Sequence, residues 1–380
     1  MKVQGDWFDA APSQTVLAML GLEGYSAYFV GGCVRNALLG HPVSDIDIAT
    51  DALPDTVIRV AEAAGHRAVP TGIEHGTVTV VVDDKPHEVT TFRKDFATDG
   101  RRATVVFSTD VAEDARRRDF TMNALYADAT GQVIDPLGGI GDLESRRVRF
   151  IEDAPTRIRE DYLRILRFFR FHAWFGDPEG GLDPDGLAAC AELADGMSRL
   201  SKERVGAEML KLLAAPDPAP SVAAMQSAGV LAQVLPGSDD RLLAPLVHLE
   251  GERTKVCLRR LAILGGEDVA ENLRLSKSDK KQLDLLRDQM GHIRSALELG
   301  YLYGVETGLD ILLLRGAMSG IALTDKDMDD LKRGSQTSFP IASADLMPGF
   351  EGPALGRKLK ELEQKWIDSS FQLTKSDLLS

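Results

Sequence analysis

Cysteine is scarce. Its three occurrences, Cys33, Cys190 and Cys257, stand far apart with no CxxC spacing, which excludes a disulfide framework and a zinc knuckle and leaves buried, reduced thiols. Long hydrophobic runs are missing as well: none approaches the ~18 residues that a membrane-spanning helix needs, so an integral membrane protein is excluded. Positive charge is in deficit, with 44 basic against 58 acidic residues and a net charge of −14, and taken whole this does not advertise nucleic-acid binding. The first eleven residues lack both the basic-then-apolar pattern of a signal peptide and the Arg/Ser-rich pattern of a transit peptide, so a cytoplasmic protein is expected.

What is present is the composition of a globular protein, 44% hydrophobic and 27% charged over 380 residues. That length at roughly 150 residues per domain predicts two or three domains. The chain changes character near residue 150. Before it, short β-branched segments at 27–30, 43–48, 77–82, 88–92, 104–107 and 132–134 read as strands separated by helices and Gly/Pro/Asp turns. Beyond it, helical periodicity takes over with no convincing strand; residues 175–185 and 214–220 read as breaks, and Pro353 opens a loose charged stretch. The fold expected is an α+β head, a small mixed sheet with helices, over residues 1–148. An all-α neck (149–215) and an all-α body and tail (216–380) follow.

Chemistry concentrates in the head. Residues 28–40 (YFVGGCVRNALLG) are an apolar strand, a glycine pair and a helix starting near Cys33. Gly31 and Gly32 would let backbone amides approach a phosphate at a helix N-terminus, although a strand-to-helix turn uses glycines anyway. Residues 44–50 (SDIDIAT) alternate carboxylate and isoleucine. In a strand, Asp45 and Asp47 share one face while Ile46 and Ile48 enter the core. Side-by-side carboxylates repel unless a cation sits between them, and Mg²⁺, held by few hard oxygens and completed by substrate phosphates, answers that need; an edge strand with two solvated aspartates is the plainer alternative. Glu88, in the strand 87–93 (HEVTTFR), is either a third ligand or an ordinary strand polar residue.

The glycine segment followed by DID resembles the first motif of the class II tRNA nucleotidyltransferases, the CCA-adding enzymes and bacterial poly(A) polymerases of the polymerase-β superfamily. Further motifs follow in that family's order: 117–125 (RRDFTMNAL), 135–143 (DPLGGIGDL), 160–171 (EDYLRILRFFRF), and 201–204 (SKER) with Glu208. One departure stands out: Arg35 is followed by Asn36, where the family commonly has aspartate, and an amide adds no charge. The resemblance implies that Arg117 and Arg118 contact the nucleotide, their forks suiting phosphate oxygens, with Arg35 also at the site. It places Asp119 near the ribose and Asn123 in support; a local salt bridge between Asp119 and its arginine neighbours is the plain alternative. Residues 120–125 read as a helix, and 135–143 as a turn-rich connector that the family treats as a hinge.

In the fourth motif Pro155 and Thr156 open a strong helix, with Ile158, Tyr162, Leu166 and Phe169 on one stripe and Asp161 and Arg164 at i,i+3 on another face. The bland reading is a surface ion pair. The family assigns to these two positions the recognition of the base. Cytosine and adenine each present an amino donor beside a ring-nitrogen acceptor, which a carboxylate next to a guanidinium complements; guanine and uracil present the reverse. Glu160 and Arg167 would orient the pair or shape the pocket. Residues 93–103 (RKDFATDGRRA) read as a solvated hairpin loop, matching a flexible loop that helps CCA-adding enzymes switch from C to A. The seven histidines show no His-Asp pairing of a phosphohydrolase domain.

The expected activity is template-independent CCA addition to tRNA from CTP and ATP, a nucleotidyl transfer with two Mg²⁺ ions on Asp45 and Asp47 that releases pyrophosphate, without a membrane partner. Poly(A), A-adding or CC-adding polymerase activity is the rival within the enzyme class, and a non-catalytic RNA-binding relative the rival outside it. Arginines bunch at 101–102, 116–118, 146–149 and 157–170, so local positive faces can serve RNA within an acidic chain, because screening mutes charge beyond about 8–10 Å.

Overall fold

The computed structural model describes residues 1–98 and 103–380. Arg101, Arg102 and the tip of the 93–103 connection lie outside the described residues. The chain divides into two compact units, Met1–Pro236 and Gly237–Ser380.

The first unit is built on strands β1 (Ala27–Val30), β2 (Asp47–Thr50), β3 (Arg67–Gly72), β4 (Thr77–Val82) and β5 (Lys85–Thr91), a ribbon of β6 (Arg93–Thr98) with β7 (Ala103–Phe107), and the short β8 (Tyr126–Ala127) and β9 (Val133–Ile134). Seven of them form one sheet in the order β3-β4-β5-β2-β1-β8-β9. All its pairings are antiparallel except β2 with β5, which run parallel and set Asp47 opposite Glu88. The β4–β5 hairpin turns on Asp83 and Asp84, both at positive φ, the backbone that suits the right-handed twist of its strands. Val78, Val80 and Val82 alternate inward. The helices Ala11–Leu22 and Pro54–Ala63 cover that face with Val16, Leu20, Val57 and Ala61.

Three expectations need correction here. The strand expected at 43–48 begins only at Asp47, so Asp45 and Ile46 lie in an irregular segment; Ile48 is fully buried but Ile46 only half so. The 93–98 stretch, read as loop, pairs as β6 with β7. The 120–125 segment is a single 3-10 turn at Thr121–Asn123 rather than a helix.

Residues 135–143 hold more than a connector. Asp135 accepts hydrogen bonds from the amides of Gly139 (2.8 Å) and Ile140 (2.9 Å), and so starts the helix Gly139–Glu144. That helix presses on the Thr121 turn. Beyond it the helices Ala154–Glu160, Leu163–Phe175 and Lys202–Leu213 follow. A cluster of aromatics fills the place where they meet the head: Phe120 lies 4.9 Å from Phe150 and 5.0 Å from Phe171, and Phe150 stacks on Phe168 at 5.4 Å. One continuous helix from Pro155 was expected. Instead Asp161, at φ −153° and ψ 106°, ends the first helix, and its carboxylate accepts the Leu163 amide at 3.1 Å to begin the second.

The second unit is helical among its described residues, as expected beyond residue 150. Arg259 and Arg260, both buried, share the buried Glu250, and Arg259 also reaches Asp310 at 2.5 Å. The stretch from Pro353 is not loose: Gly352–Asp368 is a helix with proline in its first turn, and its Trp366 packs against Tyr301, Phe339 and Phe371. Among the described residues no helix is long and apolar enough to cross a membrane.

A Cβ on Gly139 would lie 2.3 Å from the Thr121 carbonyl oxygen. Gly139→Ala therefore forces two backbone segments apart and should cost about 1–3 kcal/mol in urea unfolding. An unchanged midpoint would mean that this contact is not tight.

Candidate active site

The glycine turn is shaped for close approach. Gly31 sits at φ +72° and ψ −118°, precedes the helix Gly32–Leu39, and donates its amide to Leu125 O at 3.0 Å. A Cβ there would lie 3.2 Å from Arg118 Nη1, so backbone and guanidinium lie close together. Cys33, two residues on, donates through Sγ to Val30 O at 3.4 Å and, more weakly, to Asp47 O at 3.9 Å. Burial pushes its thiol up to about 11, so it is a structural thiol.

Asp45, Asp47 and Glu88 all open to solvent beside this turn. Partial desolvation first, then Glu88 and to a lesser degree Asp45, push the Asp47 carboxyl above the ordinary aspartate range, against the pull of Arg118. Like charges crowding a carboxylate in an open cleft are what a divalent cation would relieve. Among the described residues no three His, Cys, Asp or Glu side chains are gathered closely enough to cage an ion. The set therefore fits two hard carboxylate ligands with other ligands drawn from water and phosphate.

The arginines of the second motif are anchored by a residue the sequence reading passed over. Asp114, fully buried, accepts from Arg117 Nε (2.7 Å), Arg118 Nη2 (3.2 Å) and the Tyr126 hydroxyl (2.7 Å). Burial opposes its charge, but Arg118 and Arg117 prevail and hold the carboxyl below its usual range. Its i−3 and i−4 spacing from the two arginines was the available signal.

Asp119 binds neither of those neighbours, which sets aside the local salt bridge. It accepts from Asn123 Nδ2 (2.9 Å) and from Arg167 Nε (2.6 Å), a residue of the Leu163–Phe175 helix. Burial raises its cost of ionisation, yet Arg167 and Asn123 keep the carboxyl below its ordinary value. Asn123 in turn accepts from Arg35 Nη1 at 2.5 Å. Arg35 is buried, with its guanidinium 3.9 Å from the Phe175 ring centre and 5.1 Å from that of Phe171. Burial, and next Arg170, push it down to about 10. It is placed as a pillar between two helices rather than as an open phosphate contact.

Asp161 and Arg164 make no ion pair with each other. Asp161 Oδ2 accepts from Arg204 Nη2 (2.6 Å), while Arg164 Nη1 donates to Glu160 Oε2 (2.5 Å) and Arg157 O (2.9 Å), and its Nη2 donates to Arg117 O (3.0 Å). Glu160 also holds Arg157. Arg204, 43 residues from Asp161, carried no signal of that partnership beyond belonging to the fifth motif. Glu208 of that motif grips Arg170 at 2.6 Å. A cleft of about 220 Å³ beside this knot is lined by Lys94, Glu113, Arg116, Arg117, Arg157 and Glu160. A cavity of about 430 Å³ between Arg149–Pro155 and Asp183–Glu192 includes none of the residues expected at the site.

Residues 27–149 match the family model of the poly A polymerase head domain, and residues 181–242 that of a probable RNA- and SrmB-binding site of polymerase A. The CCA-adding enzyme of Streptococcus gordonii is 36% identical, over 93% of this chain and 92% of that protein. The chain belongs to the CCA tRNA nucleotidyltransferase family. The mitochondrial CCA tRNA nucleotidyltransferase 1 of Homo sapiens is 31% identical over 100% of this chain and 92% of its own length. The solved CCA-adding enzyme of Bacillus stearothermophilus in complex with CTP superposes with a TM-score of 0.76 at 28% identity, covering 94% of this chain and 93% of that one. As a member of this enzyme family the chain has the mixed-sheet head and helical body expected of it.

Asp114→Asn leaves two half-buried arginines without their counter-charge and should destabilise the protein by about 3 kcal/mol at pH 7. Because the native pKa of Asp114 is depressed, its contribution is full above the unfolded value near 4 and is lost as pH falls through the native value. The gap between wild type and variant in urea melts should therefore narrow below about pH 4; a gap constant from pH 7 to 3 contradicts the charge account.

Proposed function

We propose that the protein completes the CCA end of tRNA without a template, taking CTP and ATP and releasing pyrophosphate. The observation that carries this reading is that Asp161 and Arg164 are each fixed by a third party and not by each other. Asp161 keeps unused lone pairs, and Arg164 keeps its Nε hydrogen and one Nη2 hydrogen beyond the bonds described, an acceptor and a donor fit for the amino group and ring nitrogen of cytosine or adenine. Guanine and uracil would leave both groups opposed by like partners, at a cost of several kcal/mol when buried.

Around the base-reading pair the other residues have separable tasks. Gly31 and Gly32 bring the start of a helix to the triphosphate, and Arg117 and Arg118, held by Asp114, supply positive charge beside it. Asp119 and Asn123 face the ribose while Arg167 fixes the carboxylate. Asp45 and Asp47 would hold Mg²⁺, which when bound supplies activation of the 3′-hydroxyl and neutralisation of phosphate charge. Glu88 in register with Asp47 adds negative charge that tightens such a site. The head (1–148), neck (149–215) and body with tail (216–380) correspond in this reading to chemistry, base selection and tRNA contact. The cytoplasm is its proposed compartment.

Asp45→Ala should abolish incorporation, by more than about 10³-fold, while leaving the melting temperature near that of wild type; wild-type rates would refute the assignment. Asp161→Ala should admit UTP or GTP in single-nucleotide incorporation assays, eroding discrimination by about 10-fold or more. Arg204→Ala should do the same more weakly. Unchanged discrimination in Asp161→Ala would mean that the pair does not read the base.

A further inference from the structure

Asn36 is the point at which the glycine helix meets the segment that carries Asp45. Its Oδ1 accepts from Arg35 Nε (3.1 Å) and Nη2 (2.8 Å), and its Nδ2 donates to Pro42 O at 2.9 Å. Arginine can only donate and a carbonyl can only accept, so the orientation of the amide is fixed by its partners. The backbone joins in: His41 N donates to Asn36 O at 2.8 Å, and the His41 ring lies 5.8 Å from Phe175, the ring on which Arg35 stacks. Asp45 needs such a tether because it stands outside β2, in the irregular segment between Gly40 and Asp47.

The same amide determines what charge Arg35 has for company. Every hydrogen bond described for Arg35 ends on a neutral amide oxygen, of Asn36 or Asn123, and no carboxylate pairs with it among the described residues. A buried cation without a directly paired counter-ion is costly; here Arg170 and Arg167 repel it, and Asp119, reached only through Asn123, offsets part of that repulsion.

We propose that Asn36 is a positioning residue with two functions that only an amide combines: it ties the Asp45 segment to the glycine helix, and it orients Arg35 without neutralising it, so that its buried positive charge acts through space, not by contact, on the nucleotide's phosphates. Aspartate at 36 would grip Arg35 more strongly. It would also turn lone pairs toward the Pro42 carbonyl and cancel the charge. Alanine would lose the tether and leave the charge.

The two variants separate these functions. In hydrogen exchange of the full-length protein alone, the peptide spanning residues 37–46 should exchange about fivefold faster in both Asn36→Ala and Asn36→Asp, the loss expected for one hydrogen bond. In steady-state kinetics, Asn36→Asp should raise KM for CTP and ATP about three- to tenfold at low ionic strength, with the effect shrinking at high salt, whereas Asn36→Ala should lower kcat with KM near wild type. Exchange unchanged in Asn36→Ala overturns the tether, even if the aspartate variant fails to fold. Equal KM values in the two variants overturn the charge argument. The kinetic half rests on the nucleotidyl-transfer reading; the exchange half is measured without substrate, so failure of one is distinguishable from failure of the other.

Discussion

The Asp119 carboxylate is the constraint on which the first unit depends. It is buried, it is charged, and it takes its counter-ion from a helix 48 residues away, through Arg167 at 2.6 Å. Desolvating such a pair cancels much of its Coulomb gain, so its value lies less in net stability than in position: losing one partner leaves a buried charge, at a cost of about 3–5 kcal/mol. The geometry of several neighbours follows from it. Asn123 donates to Asp119 and accepts from Arg35; Arg35 stacks on Phe175 of the same helix that supplies Arg167. A closed circuit of head, turn and helix results, with the phenylalanine cluster at Phe120, Phe150, Phe168 and Phe171 as its apolar floor. One aromatic cluster thus lies where two layers must keep one geometry.

A net charge of −14 coexists with this arrangement because charge acts locally. Asp114 binds two arginines and Glu160 binds two more, which orients four guanidinium groups with two carboxylates and leaves positive charge in excess. The hydrogen bonds described for Arg35 all end on amide oxygens. Across the glycine turn the balance reverses, where burial and the charges of Glu88 and Asp45 raise the Asp47 carboxyl above its ordinary range. A positive wall facing a negative cluster is what a nucleoside triphosphate with a divalent cation would bridge.

Much of this was legible before any coordinates. Strands 27–30 and 77–82 carry β-branched or aromatic runs bounded by turns, and the structure places them at the same residues. The glycine pair and the DxD stand together as their spacing implied. What escaped was governed by tertiary contacts. Asp161 breaks a helix whose periodicity runs on through it, because its carboxylate has the Leu163 amide and Arg204 to satisfy. The strand at Asp47 starts four residues later than its β-branched pattern implies, and Asn36 ties Pro42 of the preceding segment back to the glycine helix. The helix Gly352–Asp368 looked like a charged tail until Trp366 found an aromatic pocket. Asp114 was visible in principle, by helical spacing alone, but its burial against Tyr126, which makes it an anchor rather than a solvated acid, is set by tertiary packing.

The central claim is that one protein pocket reads cytosine and adenine and adds them in order. The most direct measurement is to incubate purified protein and Mg²⁺ with a tRNA transcript ending at the discriminator base, supplying each of the four nucleotides singly and then CTP with ATP, and to resolve the products by length. The account predicts extension by two cytidines with CTP alone, completion by a single adenosine once ATP is added, and no extension with GTP or UTP. A run of adenosines, a halt after two cytidines despite ATP, or no extension at all would contradict it.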